Sequence, residues 1–126
     1  KDIDGVLALM DDDIVWHYAA AIAPPVRGKA KARKLMEALS PQIAEVRWRI
    51  FDYAERDGRL SVEGVDEYVS AEGILVSAPY AGVVDFRNGR ISGLREYFDM
   101  GVVNALKAGE PMTEHVRALI AREALV

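Results

Sequence analysis

The chain has 126 residues, 51% of them hydrophobic and 29% charged, with a formal net charge of -4 at pH 7. That length suffices for one core, and so modest an acidic balance leaves no electrostatic footprint for nucleic acid and no attraction to an anionic membrane. The absence of cysteine excludes a disulfide framework, a thiolate nucleophile and a cysteine zinc site, and no apolar run approaches the length of a membrane span.

Taken in chain order, Asp2 caps a predicted short helix reaching about Met10, built on Ile3, Val6, Leu7, Leu9 and Met10. The acidic triplet Asp11-Asp12-Asp13 is expected to end it. IVWHY, 14–18, reads as extended. AAAIAPPV reads as a loop, because Pro24 and Pro25 forbid regular backbone pairing. Ala32, Leu35, Met36 and Leu39 recur at helical spacing and predict a second helix from Lys29 to Leu39, stopped by Ser40-Pro41.

The pattern then changes to strands. AEVRWRIFDYAE places Val46, Trp48 and Ile50 on one face, and Arg47, Arg49 and Phe51 on the other. Arg56-Asp57-Gly58-Arg59 predicts a hairpin turn, with a returning strand at 60–69 and a short break at Ala71-Glu72-Gly73. Residues 74–86 form a further extended stretch, bent near Pro79. Asn88-Gly89 is the strongest hairpin signal, and 90–98 return from it. The tail from Val102 reads as less regular, with a terminal helix from Glu114 to Leu125 after a Thr113 cap. Helices first and a hairpin-rich sheet afterward predict an α+β fold.

Two acids fall where strands present side chains inward. In LREYFD, 94–99, Leu94, Glu96 and Phe98 share a face, which sets a carboxylate between two apolar neighbours. In SVEGVDEYV, Gly64, Asp66 and Tyr68 share one face and Val65 and Glu67 the other, and neither face is cleanly apolar. A buried carboxylate must be paired, hydrogen-bonded or protonated. One acid with a raised pKa beside one that ionises is what acid–base chemistry needs. The plainer alternative keeps Asp66 as a surface strand residue and pairs Glu96 with an arginine. Trp16 and Tyr18 lie on the same side of IVWHY, as core or rim aromatics or as site residues. The two histidines, His17 and His115, make no metal cluster, and the scattered acids have no metal-ligand spacing. No Gly-rich phosphate loop is present, and Ser61 and Ser77 lack a nucleophile-elbow context. GKAKARK, 28–34, reads as a solvated helix face.

The order of elements, with DDDIVWHY, PPVRGKAKARKL, the 47–69 hairpin and GRISGLREYFD, resembles the cone-shaped nuclear-transport-factor-2-like fold in its SnoaL-like branch. It is most similar there to the limonene-1,2-epoxide hydrolase family. The resemblance covers nearly the whole of 1–126 as one domain, and the family's usual first helix is expected ahead of Lys1. It implies a strongly curved mixed sheet around a pocket for a small apolar molecule, with Ile22, Trp48, Ile50, Gly64, Tyr68, Leu94 and Phe98 as candidate lining residues. It implies cofactor-independent opening of an epoxide, by water or a substrate hydroxyl. Glu96 would fall on the nucleophile-activating acid, usually aspartate, and Asp66 on the proton-donating acid. The family's bridging arginine falls on Gly64, its water-holding tyrosine and asparagine on Trp16 and Tyr18, and a usual tryptophan on Leu94. Other members of the superfamily are isomerases, dehydratases or noncatalytic binding proteins. Neither cofactor nor metal is expected, nor a nucleic-acid or membrane partner. A cytoplasmic homodimer is the remaining expectation.

Overall fold

The computed structural model describes residues 1–126. Two helices, α1 (Ile3–Ala8) and α2 (Lys29–Leu39), lie among the first two strands, β1 (Met10–His17) and β2 (Val26–Arg27). A 3-10 turn at Ser40–Gln42 leads into β3 (Ile43–Val46), β4 (Arg49–Arg56), β5 (Arg59–Ser70), β6 (Leu75–Arg87) and β7 (Arg90–Phe98). The chain closes with α3 (Met100–Lys107) and α4 (Glu114–Ile120). The strands make one curved mixed sheet in the order β2-β1-β7-β6-β5-β3, with β4 also pairing β5. Only β1 and β7 run parallel. The fold is α+β, as the sequence predicts, and no helix is long and apolar enough to cross a membrane.

The two hairpins form where the Asp-Gly and Asn-Gly pairs stand. Asp57 and Gly58 have φ of 50° and 74°, and Asn88 and Gly89 have φ of 52° and 76°. Positive φ at both central residues gives a turn whose twist matches the flanking strands. The second helix has the predicted bounds.

Four expectations differ. The acidic triplet does not end a helix but lies inside β1. The β1–β7 register shifts between Met10 and Val15, so this stretch bulges away from its neighbour. The freed acids turn outward, Asp11 to Arg87 at 2.8 Å and Asp12 to Lys29 at 3.5 Å. The stretch from Ala44 is not one strand. It breaks at Arg47-Trp48, because β3 and β4 pair with successive parts of the same edge of β5. The tail holds a helix that the sequence reading missed, α3, whose N-terminus Asp99 caps by accepting from Gly101 N at 2.7 Å. The last helix stops at Ile120 rather than Leu125. The residues after it run back along β4, with Leu125 N donating to Ile50 O at 2.7 Å and Ile50 N to Val126 O at 3.0 Å.

Both faces of the sheet are covered. On the inner face, α1 and α2 pack Leu7 and Ala32 against Met10 and Ile14, and α3 packs Val103 and Leu106 against Val76 and Ala78. On the outer face, Ile120 of α4 packs on Val65 and Phe51. This double cover explains why neither face of β5 reads as cleanly apolar. Val65 is buried outward against α4. On the same face Glu67 accepts from Ser77 Oγ at 2.6 Å and from Arg49 Nη2 at 3.3 Å.

Candidate active site

The inner face encloses a cavity of about 760 Å³. β1 supplies Trp16 and the turn after it Tyr18, β5 supplies Asp66 and Tyr68, and β7 supplies Glu96 and Phe98. α2 and the segment after it supply Leu39, Ile43, Val46 and Trp48, while α3 closes the other side with Met100, Val103 and Lys107. Twelve of the eighteen lining residues are hydrophobic, so the two carboxyl groups stand against largely apolar walls.

Glu96 is held at both oxygens. Trp16 Nε1 donates to Oε2 at 2.7 Å, and the Tyr80 hydroxyl donates to Oε1 at 3.2 Å. Burial nevertheless dominates, because a charge in an apolar wall loses its hydration. It pushes the Glu96 carboxyl up to about 7. The Trp16 hydrogen bond pulls it back, the charge of Asp66 pushes it up again, and the Tyr80 hydrogen bond lowers it slightly. The Asp66 carboxyl is also raised, by burial alone and with no hydrogen-bond donor to offset it. Tyr80 is pushed well above its usual range by burial and by the negative charge of Glu96, so its hydroxyl keeps its proton.

Seven predicted site residues line one cavity: Glu96, Asp66, Tyr18, Trp16, Trp48, Tyr68 and Phe98. Four do not. Ile22 is half exposed in the loop after β1. Ile50 keeps the face of Val46 and Trp48, for it pairs with Gly64 as Val46 pairs with Tyr68, but it lies farther along β4, outside the lining. Leu94 sits one pair along β7, opposite Val84 and beside Trp16, away from the lining. Gly64 is a packing position. A Cβ there would stand 3.0 Å from Ile50 Cα and collide with the Arg49 carbonyl oxygen. The backbone of β4 therefore occupies the space that a bridging arginine side chain would need to leave β5.

Tyr80 was missed, and so were the contributions of α3. Counting back from the Asn88-Gly89 turn sets Arg87 opposite Arg90 and, without a break, sets Glu96 opposite Ala81. A register shift between Asp85 and Phe86 moves Glu96 to Gly82. One residue of slip changes the face, and it brings Tyr80 and Glu96 onto the same side. No metal-sized group of three or more acids or histidines is assembled.

The SnoaL-like domain family matches residues 1–94. The chain belongs to this family. An LEH-like epoxide hydrolase of M. tuberculosis has a similar structure, with a TM-score of 0.72 and 22% identity, over 83% of this chain and 76% of that one. So does a Catenulispora acidiphila protein with a ketosteroid isomerase-like fold, solved with trimethylamine, with a TM-score of 0.76 and 18% identity over 88% and 85% of the two chains. TerC, crystallised with polyporic acid, gives a TM-score of 0.71 at 19% identity over 82% and 84%. At these identities the likeness is one of fold. A search among curated proteins returns no significant match.

Proposed function

We propose that this SnoaL-like protein opens an epoxide in a small or medium apolar substrate by cofactor-independent acid–base catalysis, with water or a substrate hydroxyl as nucleophile. The observation that carries the reading is a pair of carboxyls, Glu96 and Asp66, lining one largely apolar cavity and both raised by burial. The epoxide hydrolase among the similar structures adds a precedent on this fold.

The two acids interact, so they titrate as a pair. The pair holds one proton, and the arrangement that reacts is the one in which that proton sits on Asp66 and Glu96 is ionised. Glu96 takes the proton of the nucleophile as its oxygen attacks the epoxide carbon. The carbon–oxygen bond breaks, and Asp66 gives its proton to the departing oxygen. The product leaves Glu96 protonated and Asp66 ionised, and passage of one proton from Glu96 to Asp66 restores the start. The Trp16 N–H is already engaged with Glu96, so Trp16 orients the base rather than the nucleophile. Tyr18, edge-on to Trp16 with ring centroids 6.3 Å apart, positions the nucleophile instead.

A second reading, isomerisation by proton transfer, has its own observation. The β4 backbone leaves no room for a cationic side chain at Gly64, and Glu96 near neutrality can shuttle a proton alone. The test is a panel of apolar epoxides against wild type, Glu96→Gln and Asp66→Asn, with binding of an apolar ligand measured in parallel. Both variants are expected to lose roughly 10²–10⁴-fold in turnover while ligand affinity stays within a few-fold. Retained turnover in Glu96→Gln would remove Glu96 as the base. Loss in Glu96→Gln alone would favour the isomerase, and ligand binding without any turnover would leave a binding protein.

A further inference from the structure

Tyr80 belongs to the site without lining the cavity. It is 4% exposed, and its ring stands edge-on to Trp48 with centroids 4.8 Å apart. It reaches Glu96 by lying along its own strand over residue 82. Side chains two apart on a strand point the same way, so any Cβ at 82 would stand in its path. A Cβ built there would lie 2.9 Å from Tyr80 Cζ and collide with the hydroxyl oxygen. Gly82 is also the residue paired with Glu96 across β6 and β7. Gly82 leaves open the place the ring fills, and the register shift brings Glu96 to the hydroxyl.

We infer that Tyr80 is a positioning residue for Glu96. Seated over Gly82 and braced by Trp48, its hydroxyl donates to Oε1 and fixes the carboxylate between two donors, with its free lone pairs toward the cavity. This rests on the reading of Glu96 as the proton acceptor. Trp16 supplies the other donor from β1, so the carboxylate is gripped from both neighbouring strands. Removing the Tyr80 hydroxyl leaves the Trp16 bond as the only support for the charged form. The other titratable groups around the cavity are Asp66 and Tyr68 of β5 and Tyr18 just after β1, with Glu72 and Lys107 at the exposed rim. α2 and β3 contribute none.

The experiment is Tyr80→Phe, with Gly82→Ala as a second variant that displaces the ring while keeping the hydroxyl. Glu96 is titrated directly by carbon NMR of labelled glutamate, and kcat/KM is followed against pH. Loss of the donor favours protonated Glu96, so its midpoint is expected to rise from about 7 by about 0.3 of a unit in both variants, roughly a twofold change in proton affinity. The high-pH limb of kcat/KM should move with it, and KM should change less than kcat. A midpoint unmoved in both variants, whatever the loss in stability or rate, would overturn the inference. If wild type turns over no substrate, the NMR titration still decides the Tyr80 contact, and the proposed reaction fails separately.

Discussion

Glu96 is costly to keep where it is, and that cost has a sign that stability measurements can read. Its folded-state pKa, about 7, lies above the ordinary 4.5, chiefly because burial strips water from the charge. Between those values the folded chain holds a proton that the unfolded chain has lost, so stability falls as pH rises through this window. Glu96→Gln removes that dependence. It is expected to be more stable than wild type by about 3 kcal/mol at pH 8, and nearly equal at pH 4, when unfolded by urea. Equal stability at both values would mean that Glu96 is not buried as a strained acid. Alternation alone made Glu96 legible, because Leu94 and Phe98 flank it on the same face. Tyr80, its partner, was not legible, because the residue that changes the register near Asp85 leaves no mark in composition or period. Asp66 fell between these cases: its strand reads as mixed because α4 buries Val65 on the other side.

At the scale of elements, turn chemistry was the surest guide. Asp57-Gly58 and Asn88-Gly89 both adopt the positive φ that those residue pairs favour, and with them came β4 to β7. The helix Lys29–Leu39 was legible from its spacing and its proline stop. Elements fixed by tertiary contact were not. α3 has eight residues and depends on its burial against β6, and the Arg47-Trp48 break reflects two strands sharing one edge of β5. Gly64 belongs to this scale too, for its lack of a side chain lets β4 approach β5. Gly64→Ala is expected to cost about 1–3 kcal/mol, the usual range for overpacking, measured as a lower urea midpoint at unchanged slope. An unaltered midpoint would show that β4 can step aside, and would reopen this position to an arginine.

For the molecule as a whole, the site is assembled from distant parts of the chain. Trp16 and Glu96 are 80 residues apart in sequence and 2.7 Å apart in space. The helices close the cone over the acids, and the outer face, with α4 and the returning tail, braces the sheet behind them. The cavity should therefore be adjustable without loss of fold. Ala19, buried at its wall, changed to Leu is expected to raise KM for a bulky substrate by about tenfold. A small substrate should remain within a few-fold and the circular dichroism unchanged. Equal effects on both substrates would mean that Ala19 does not face the bound molecule.

The central claim is that Glu96 and Asp66 work as a pair sharing one proton, and the pH dependence of kcat/KM for an apolar epoxide tests it most directly. A pair that must hold one proton loses activity above its upper pKa, where the shared proton leaves, and again below its lower one. The profile is expected to be bell-shaped, with its high-pH limb at about 7, where burial sets Glu96. A rate that climbs through 7 to a plateau would contradict the pair and leave Glu96 as a solitary base.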